Sequence, residues 1–196
     1  MRIIAGSFRS RPLQAPAGLA TRPTSDRLRE TLFNVLAPRI EEAVVLDLYA
    51  GSGAVGIEAL SRGAANVVFV ERAPGALKVL RENLARLGLT EGFRIVGSGV
   101  GSFLRKADAT GRFDIVFLDP PYDEEAEYKN ALGLLGTEAA GLLAERGLVI
   151  AEHRRNARLE DQYGSLRRTR LLQQGDAALS FYTATNIVPD EMDGKG

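Results

Sequence analysis

The sequence contains no cysteine, no tryptophan and a single histidine among its 196 residues. Without cysteine, neither a disulfide framework nor a thiolate metal site can form. The longest stretch free of charged residues, 177–189, has thirteen residues, whereas a membrane-spanning helix needs about 18 or more apolar residues. The start of the chain also lacks the apolar core of a secretory signal. These absences exclude a spanning helix and predict a cytoplasmic protein.

Charge is distributed unevenly along a chain that is neutral overall. The 25 lysines and arginines balance the 25 aspartates and glutamates. Residues 1–39, however, hold seven arginines against Asp26 and Glu30, a local charge of +5 that the remaining 157 residues offset. Clustered cations attract anionic polymers even when the whole protein is neutral. The front of the chain is therefore a candidate nucleic-acid surface, and a solvated basic face is the alternative.

Five apolar runs after residue 42 indicate a parallel sheet. Their apolar residues are continuous rather than alternating, which is typical of strands that helices bury on both faces. The runs are Val44–Leu46, Val67–Val70, Phe93–Val96, Ile115–Leu118 and Leu148–Ala151. The segments between them have helical spacing and are predicted as helices over 55–62, 74–87, 99–107 and 125–145.

The two ends of the chain depart from this pattern. Residues 165–173 and 177–184 are predicted to form an antiparallel hairpin at the sheet edge. At the front, a small hairpin and a loop precede a predicted helix that begins near Ser25 and closes at Pro38. We therefore expect an α/β fold with a Rossmann-like, seven-stranded, mostly parallel sheet. Its expected parts are a basic extension (1–39), a main domain (40–185) and a flexible tail (186–196).

A glycine-rich loop follows the first apolar run. The segment from Asp47 to Gly56 reads D-L-Y-A-G-S-G-A-V-G and contains the pattern G-x-G-x-x-G. Such glycines allow a tight turn and close approach of a ligand to the backbone at a helix N-terminus. Glu71 stands twenty residues after Gly51, at the end of the second predicted strand, where a carboxylate can accept hydrogen bonds from ribose hydroxyls. The pair predicts an adenosine-containing cofactor.

Asp47 favours one class of such cofactors. A carboxylate four residues before Gly51 would repel the pyrophosphate of a dinucleotide but would suit a cationic group. S-adenosylmethionine carries an ammonium and a sulfonium and no phosphate, so the loop favours it over a nicotinamide dinucleotide. The candidate cofactor-binding residues are Asp47, Tyr49, Ala50, Gly51, Ser52, Gly53, Glu71, Arg72, Gly99, Val100 and Asp119.

The segment after the third predicted strand, Val96–Gly101, contains no acidic residue. Methyltransferases of this architecture often place an Asp or Asn there, in contact with the adenine amine. Backbone groups near Gly99 and Val100, or the side chain of Ser98, are the alternatives in this chain.

The fourth predicted strand runs directly into Asp119-Pro120-Pro121-Tyr122. Two prolines restrict the backbone, so the acceptors of Asp119 and Pro120 point in fixed directions. If these acceptors take the two hydrogens of an exocyclic amine, the nitrogen lone pair turns toward a methyl donor. Tyr122 offers a face on which the target base can stack. Asp119, Pro120, Pro121 and Tyr122 are therefore the candidate catalytic residues.

These motifs resemble the bacterial 16S rRNA guanine-N(2) methyltransferase family. The resemblance rests on 47–56, on 119–122, on Arg2-Ile3-Ile4-Ala5-Gly6 and on the more specific stretch from Arg22 to Asn34. It implies transfer of a methyl group from S-adenosylmethionine to the 2-amino group of one guanine in an assembled or assembling small ribosomal subunit. The candidate RNA-contacting residues are Arg2, Arg9, Arg11, Arg22, Thr24, Arg27 and Arg29.

Three rival functions remain at this point: a DNA adenine methyltransferase, a non-catalytic RNA-binding assembly factor, and a nicotinamide oxidoreductase. The first normally needs a recognition domain for which 196 residues leave little room, and intact Glu71 and Asp119 argue against the second. Glu124, Glu125 and Glu127 lack histidine partners, so no metal is expected. His153 is expected in a solvated or core-edge role, and the protein is expected to be a monomer.

Overall fold

The computed structural model describes residues 1–15, 26–106, 112–121 and 125–185. Eight strands in this part of the chain form one sheet with helices on both faces. The strands are β1 Val44–Leu48, β2 Asn66–Glu71, β3 Phe93–Gly97, β4 Phe113–Leu118, β5 Leu143–Arg154, β6 Gln162–Tyr163, β7 Leu166–Gln174 and β8 Ala177–Ala184. The helices are α1 Asp26–Leu36, α2 Ala54–Ser61, α3 Pro74–Arg86, α4 Val100–Lys106 and α5 Glu125–Leu135.

The strand order is β3-β2-β1-β4-β5-β8-β7-β6. Strands β1 to β5 are parallel to one another. Strand β8 runs antiparallel to β5 and also pairs antiparallel with β7. The predicted α/β fold and its C-terminal antiparallel hairpin are confirmed. The sheet has eight strands rather than seven because the two-residue strand β6 adds to the edge of β7.

Two hydrophobic clusters, one on each face of the sheet, bury the apolar runs. One cluster contains Leu32 and Phe33 of α1 together with Ile57 of α2. The other contains Tyr128 of α5 and Tyr182 of β8. None of the described helices has the length and apolar character of a membrane span.

The helix predicted over 125–145 ends at Leu135. The chain comes close to the sheet edge directly after the helix, where a Cβ on Gly136 would lie 1.8 Å from the Tyr163 carbonyl oxygen and only glycine fits. A short 3-10 turn, Ala140–Leu142, then leads directly into β5. Strand β5 therefore begins five residues before the apolar run at Leu148, which sequence periodicity identified as the strand.

The first fifteen residues, here called the arm, are folded against the sheet's helices. The expected hairpin is reduced to one antiparallel bridge between Arg2 and Pro12, flanked by hydrogen bonds between Ile3 and residues 10 and 11. Ile3 and Leu13 are buried in the same cluster as α1 and α2. The arm therefore contributes two apolar side chains to the core as well as its basic residues. The division at residue 39 stays a prediction, and the tail at 186–196 lies outside the described residues.

Glu58, in the last half of α2, fixes the middle of the arm. Its buried carboxylate accepts the backbone N–H groups of Ile4 (2.7 Å) and Ala5 (3.0 Å). The same carboxylate pairs with Arg62 at 2.7 Å and with Arg29 at 3.8 Å. One carboxylate thus accepts from two backbone donors and supplies negative charge to two neighbouring guanidinium groups.

Arg29 on α1 belongs to this network and not to the surface. It is fully buried, donates to the carbonyl of Arg2, and pairs with Asp26 at 2.9 Å. Burial lowers its pKa, although the neighbouring carboxylates of Asp26 and Glu58 oppose that shift. The prediction that Arg29 contacts RNA is therefore wrong, because its guanidinium is used inside the protein.

We expect Glu58→Gln to lower the free energy of unfolding by about 3 to 5 kcal/mol, because it leaves buried Arg29 without one of its counter-charges. Urea denaturation would measure the loss. Glu138→Gln, at an exposed position, is the matched control and should change stability by less than about 0.5 kcal/mol. Equal stability of the two variants would contradict the anchoring role.

Candidate active site

A cavity of about 570 Å³ lies at the edge of the sheet where the parallel strands end. It spans the ends of β1 and β4. These two strands are neighbours, but the chain continues from β1 toward one edge of the sheet and from β4 toward the other. Ligands bind to such α/β sheets at this point of reversal. The predicted residues that line the cavity are Asp47, Tyr49, Ala50, Gly51, Ser52, Glu71, Arg72, Gly99, Val100, Asp119, Pro120 and Pro121.

One of the predicted residues that the structure describes, Gly53, is not part of this lining. Gly53 instead caps α2 in a left-handed conformation (φ 81°), and a Cβ there would lie 2.3 Å from Leu80. Gly53 therefore has a turn and packing role beneath the loop, and its contact with a cofactor stays a prediction. Tyr122 lies outside the described residues.

The glycine loop is held open by backbone geometry. Tyr49, Gly51 and Gly53 all have positive φ, at 63°, 55° and 81°. For tyrosine this left-handed conformation costs on the order of 1 kcal/mol or more. At Gly56, a Cβ would lie 2.2 Å from the ring of Phe69, so only glycine lets α2 approach the sheet this closely. The loop is therefore shaped by sterics before any ligand enters.

Glu71 is oriented by three backbone donors at the end of β2. Its Oε2 accepts from Gly51 N–H at 2.9 Å, and its Oε1 accepts from Arg72 and Ala73 at 2.8 and 2.7 Å. A carboxylate offers about four lone-pair positions. Acceptor capacity remains for a ligand hydroxyl on a side chain whose position is already fixed.

Asp47 is nearly inaccessible, with 2% of its surface exposed. Burial raises its pKa to about 7, and the negative charge of Glu71 adds to the rise, while a hydrogen bond from Gly56 N–H (2.9 Å) opposes it. The cavity lining holds Asp47, Glu71, Asp119 and Glu127 against Arg72 and Arg105. An excess of carboxylates favours a cationic ligand and disfavours a pyrophosphate.

Asp119 ends the fourth strand beside this acidic group. Its burial raises its pKa well above the ordinary value, and the carboxylates of Glu152 and Asp47 raise it further. The hydroxyl of buried Tyr128 donates its one hydrogen mainly to the carbonyl of Glu152 at 2.8 Å, and the carbonyl of the next residue, Pro120, lies 3.4 Å from the same hydroxyl. Tyr128 therefore packs between β5 and the backbone at Pro120.

The loop after β3 brings Ser98, Gly99 and Val100 to the cavity wall. The Gly99 carbonyl accepts a hydrogen bond from the N–H of Phe103 in α4. The Ser98 hydroxyl donates to the same carbonyl at 3.4 Å. In this part of the wall the polar groups are backbone atoms and one hydroxyl, as the sequence suggested.

Comparison with known proteins assigns the chain to a family. A family model described as conserved hypothetical protein 95 matches residues 1–183. Ribosomal RNA small subunit methyltransferase D of Escherichia coli strain K12 is 43% identical over 152 residues, which cover 78% of this chain and 74% of that protein. A Bacillus subtilis protein, provisionally named as an rRNA methyltransferase, is 39% identical over 93% of this chain and 98% of its own length. The chain belongs to the family that this model describes, together with the matched methyltransferase D.

Solved structures agree with that assignment. The yhhF protein of Escherichia coli, provisionally named as a methyltransferase, superimposes with a TM-score of 0.80 at 40% identity. The match covers 94% of this chain and 97% of that protein. A more distant Streptococcus mutans protein, SMU.776, was solved in complex with S-adenosylhomocysteine (SAH). Its TM-score is 0.64 at 17% identity, over 80% of this chain and 48% of its own, so this likeness concerns the fold alone. The resemblance inferred from the motifs is confirmed at the level of the family.

Several side chains at the site were missed by sequence reasoning. Glu127 and Asn130 on α5 and Arg105 on α4 line the cavity, Tyr128 contacts the Pro120 carbonyl, and the charge of Glu152 raises the pKa of Asp119. Their one sequence signal was position, since α5 follows the tetrapeptide and Glu152 follows the fifth apolar run. His153 is buried and bonded to Ser180 Oγ at 2.9 Å, which fits the expected core-edge role. No group of metal-binding side chains occurs among the residues described.

The arm and α1 form a second cavity of about 600 Å³. Its wall includes the predicted RNA contacts Arg2, Arg9 and Arg27, joined by Arg62, with Asp26 and Glu30 among them. Arg11 is exposed but donates to the carbonyl of Arg86 at 3.4 Å. Arg22 and Thr24 lie outside the described residues.

We expect Asp47→Asn to remove a pH-dependent loss of stability. The folded pKa of Asp47 is raised, so the folded state holds this proton more tightly than the unfolded state, and stability falls as the pH rises toward and through 7. Asparagine carries no charge and can still accept from Gly56. At pH 8.5 the ligand-free variant should be more stable than the wild type by about 1 to 4 kcal/mol in urea unfolding, and this advantage should shrink as the pH falls below 7 and vanish near about pH 4.

Asp161→Asn, whose side chain is exposed, is the control for this prediction and should leave the pH dependence unchanged. A wild type that loses stability between pH 5 and 8.5 no faster than Asp47→Asn would contradict the burial of this charge.

Proposed function

We propose that this protein transfers a methyl group from S-adenosylmethionine to the 2-amino group of a guanine in 16S rRNA of the small ribosomal subunit. The observation that carries the proposal is one cavity that contains both an acidic cofactor loop and the Asp119-Pro120 acceptors. Family membership supports it, since relatives are named ribosomal RNA small subunit methyltransferase D. We place this reaction in the bacterial cytoplasm, with an assembled or assembling subunit as substrate.

The cofactor's place follows from the fixed acceptors of the cavity. Glu71 is oriented for ribose hydroxyls, and Asp47 and its neighbours supply negative charge for the cationic methionine end. When bound, S-adenosylmethionine supplies an electrophilic methyl group on a positively charged sulfur. The backbone of Ser98 to Val100 would line the adenine in place of an acidic side chain.

Asp119 and Pro120 orient the target amine. The carboxylate of Asp119 and the carbonyl of Pro120 accept the two N–H hydrogens, which directs the nitrogen lone pair at the methyl carbon. A nitrogen–carbon bond forms as the carbon–sulfur bond breaks, so the positive charge passes from sulfur to nitrogen. Asp119 stabilises that charge as it develops, and the methylated nitrogen then releases its proton to solvent.

The test of this function uses small subunits that lack the modification. Incubation with methyl-labelled S-adenosylmethionine, followed by nucleoside analysis, should give N2-methylguanosine in 16S rRNA. Methyladenine, or label in DNA instead, would favour an adenine amino-methyltransferase. Absence of transfer together with RNA binding would favour a non-catalytic assembly factor.

Asp119→Ala should reduce the single-turnover rate by about 100-fold or more, because it removes an acceptor aligned in the transition state. Cofactor affinity, measured by calorimetry, should stay within a few fold of the wild type. Asp161→Asn serves as the surface control. Near wild-type turnover by Asp119→Ala would show that the tetrapeptide has another role.

We further propose that the arm docks the rRNA. The arm runs beside α2: Met1 and Ala15 line the active cavity, whereas Ser7 and Phe8 bond Ser61 at the far end of the helix. Eight residues of helix span about 12 Å, which exceeds the spacing of neighbouring phosphates. Arg9 and its cavity would therefore hold nucleotides beside the target, and the target itself would enter the active cavity.

Replacing Arg9 and Arg27 together by Ala should weaken subunit binding. It should also flatten the slope of log affinity against log salt by about 1 to 2, because binding releases fewer counterions when phosphate contacts are lost. Cofactor affinity should not change. The control pair is Arg155→Ala with Arg167→Ala, at exposed positions near the other edge of the sheet. If the control pair flattens the slope as much as the arm pair, the docking role is refuted.

A further inference from the structure

Glu127 occupies a position that the transfer mechanism above does not use. It lies in the first turn of α5, eight residues after Asp119, and its half-buried side chain lines the same cavity as Asp119, Pro120 and Pro121. A carboxylate is an acceptor with no donor of its own. Because Glu127 lines the same cavity as the acceptors for the amine, its carboxylate can accept a hydrogen bond from a ligand in that cavity.

Tyr49 fixes the direction of this carboxylate. The Tyr49 hydroxyl donates to Glu127 Oε2 at 2.7 Å. Tyr49 follows directly after Leu48, which is paired with Leu118 across β1 and β4, so Tyr49 and Asp119 leave the sheet side by side. The hydrogen bond therefore brings Glu127 over the same strand ends from which Asp119 acts. Oε1 is left to face a second donor.

Guanine and adenine differ at the atom next to the reacting amine. In guanine the neighbour of the 2-amino group is N1–H, a donor, whereas in adenine the neighbour of the 6-amino group is N1, an acceptor. A carboxylate beside Asp119 would accept N1–H from guanine. The same carboxylate would oppose the lone pair of adenine N1, and both acceptors would then lack a hydrogen.

We propose that Glu127, oriented by Tyr49, is the specificity-determining residue that accepts N1–H of the target guanine. The proposal rests on the proposed guanine-amine activity and adds the residue that selects the base. It also accounts for the strained left-handed backbone of Tyr49 (φ 63°), which points a long side chain with a hydroxyl donor across the cavity mouth. Sites built to bond a substrate N–H or O–H reject analogues that lack it by large factors, about 10⁴ or more.

The alternative is a purely structural tie between α5 and the cofactor loop. Under that alternative, Glu127→Gln and Tyr49→Phe would have the same effect on every substrate. Base recognition instead predicts an effect that depends on the base, because glutamine can donate from its amide where glutamate can only accept.

The test compares two bases at the methylated position, which primer extension first locates with the wild type. Subunits are reconstituted with either guanosine or 2-aminopurine riboside there. The analogue keeps the 2-amino group but presents N1 as an acceptor. The wild type should prefer guanine by at least about 100-fold in single-turnover rate.

For Glu127→Gln we expect the preference for guanine over 2-aminopurine to fall at least tenfold, because the amide can donate to the acceptor N1 of the analogue. Glu127→Ala should lose guanine activity without any gain on the analogue. Cofactor affinity of both variants should remain within a few fold of the wild type. Glu125→Gln, exposed on the same helical turn, should behave as the wild type on both bases.

Two outcomes overturn the inference alone: a Glu127→Gln variant that keeps the wild-type preference, or one that loses the same factor on both bases. A wild type that forms no N2-methylguanosine would overturn the proposed function as well, and it is scored before any variant. Thermal unfolding of each variant identifies one that has lost its fold, and in that case Tyr49→Phe decides: its guanine preference should weaken, and an unchanged preference would refute the inference.

Discussion

The reversal of strand order between β1 and β4 is the constraint on which the rest of this structure depends. Both strands run in the same direction side by side, and the chain leaves them toward opposite ends of the sheet. The gap between the two departing connections is the active cavity. It follows that Asp47 and Asp119, separated by more than seventy residues in sequence, line one cavity, and that Tyr49 leaves the sheet beside Asp119.

Gathering carboxylates at this gap has an electrostatic cost. The raised pKa values of Asp47 and Asp119 express it, since each charge is shielded from water and repelled by its neighbours. The protein offsets part of the cost with backbone donors, from Gly56 to Asp47 and from three N–H groups to Glu71. The remaining unfavourable charge is relieved by a cation. A positively charged ligand at the glycine loop relieves this repulsion chiefly at Asp47 and Glu71.

The arm is joined to this centre through α2. The helix begins where the glycine loop ends, and Glu58 and Ser61 on its later turns bind the backbone of residues 4–8. A second tie runs through Asn83, which bonds both Gln14 and the carbonyl of Ser52 in the cofactor loop. A basic segment held at several points presents its arginines in fixed positions relative to Asp119.

Sequence reasoning succeeded wherever a short segment fixes its own geometry. Continuous apolar runs identified the parallel strands, and the glycine loop and the double proline identified the cavity's two principal walls. It failed where a residue's role depends on a distant partner: Gly136, after the end of α5, is a glycine because Tyr163 lies against it, and Tyr128 contacts the Pro120 carbonyl from a helix whose pattern indicated only a buried face. Arg9 and Arg29 make the point most directly. Both belong to the same basic stretch, yet Arg9 is exposed on the arm, whereas Arg29 is buried against Asp26 and Glu58. Local charge alone cannot separate the two, because the difference lies in carboxylates that only the fold brings near.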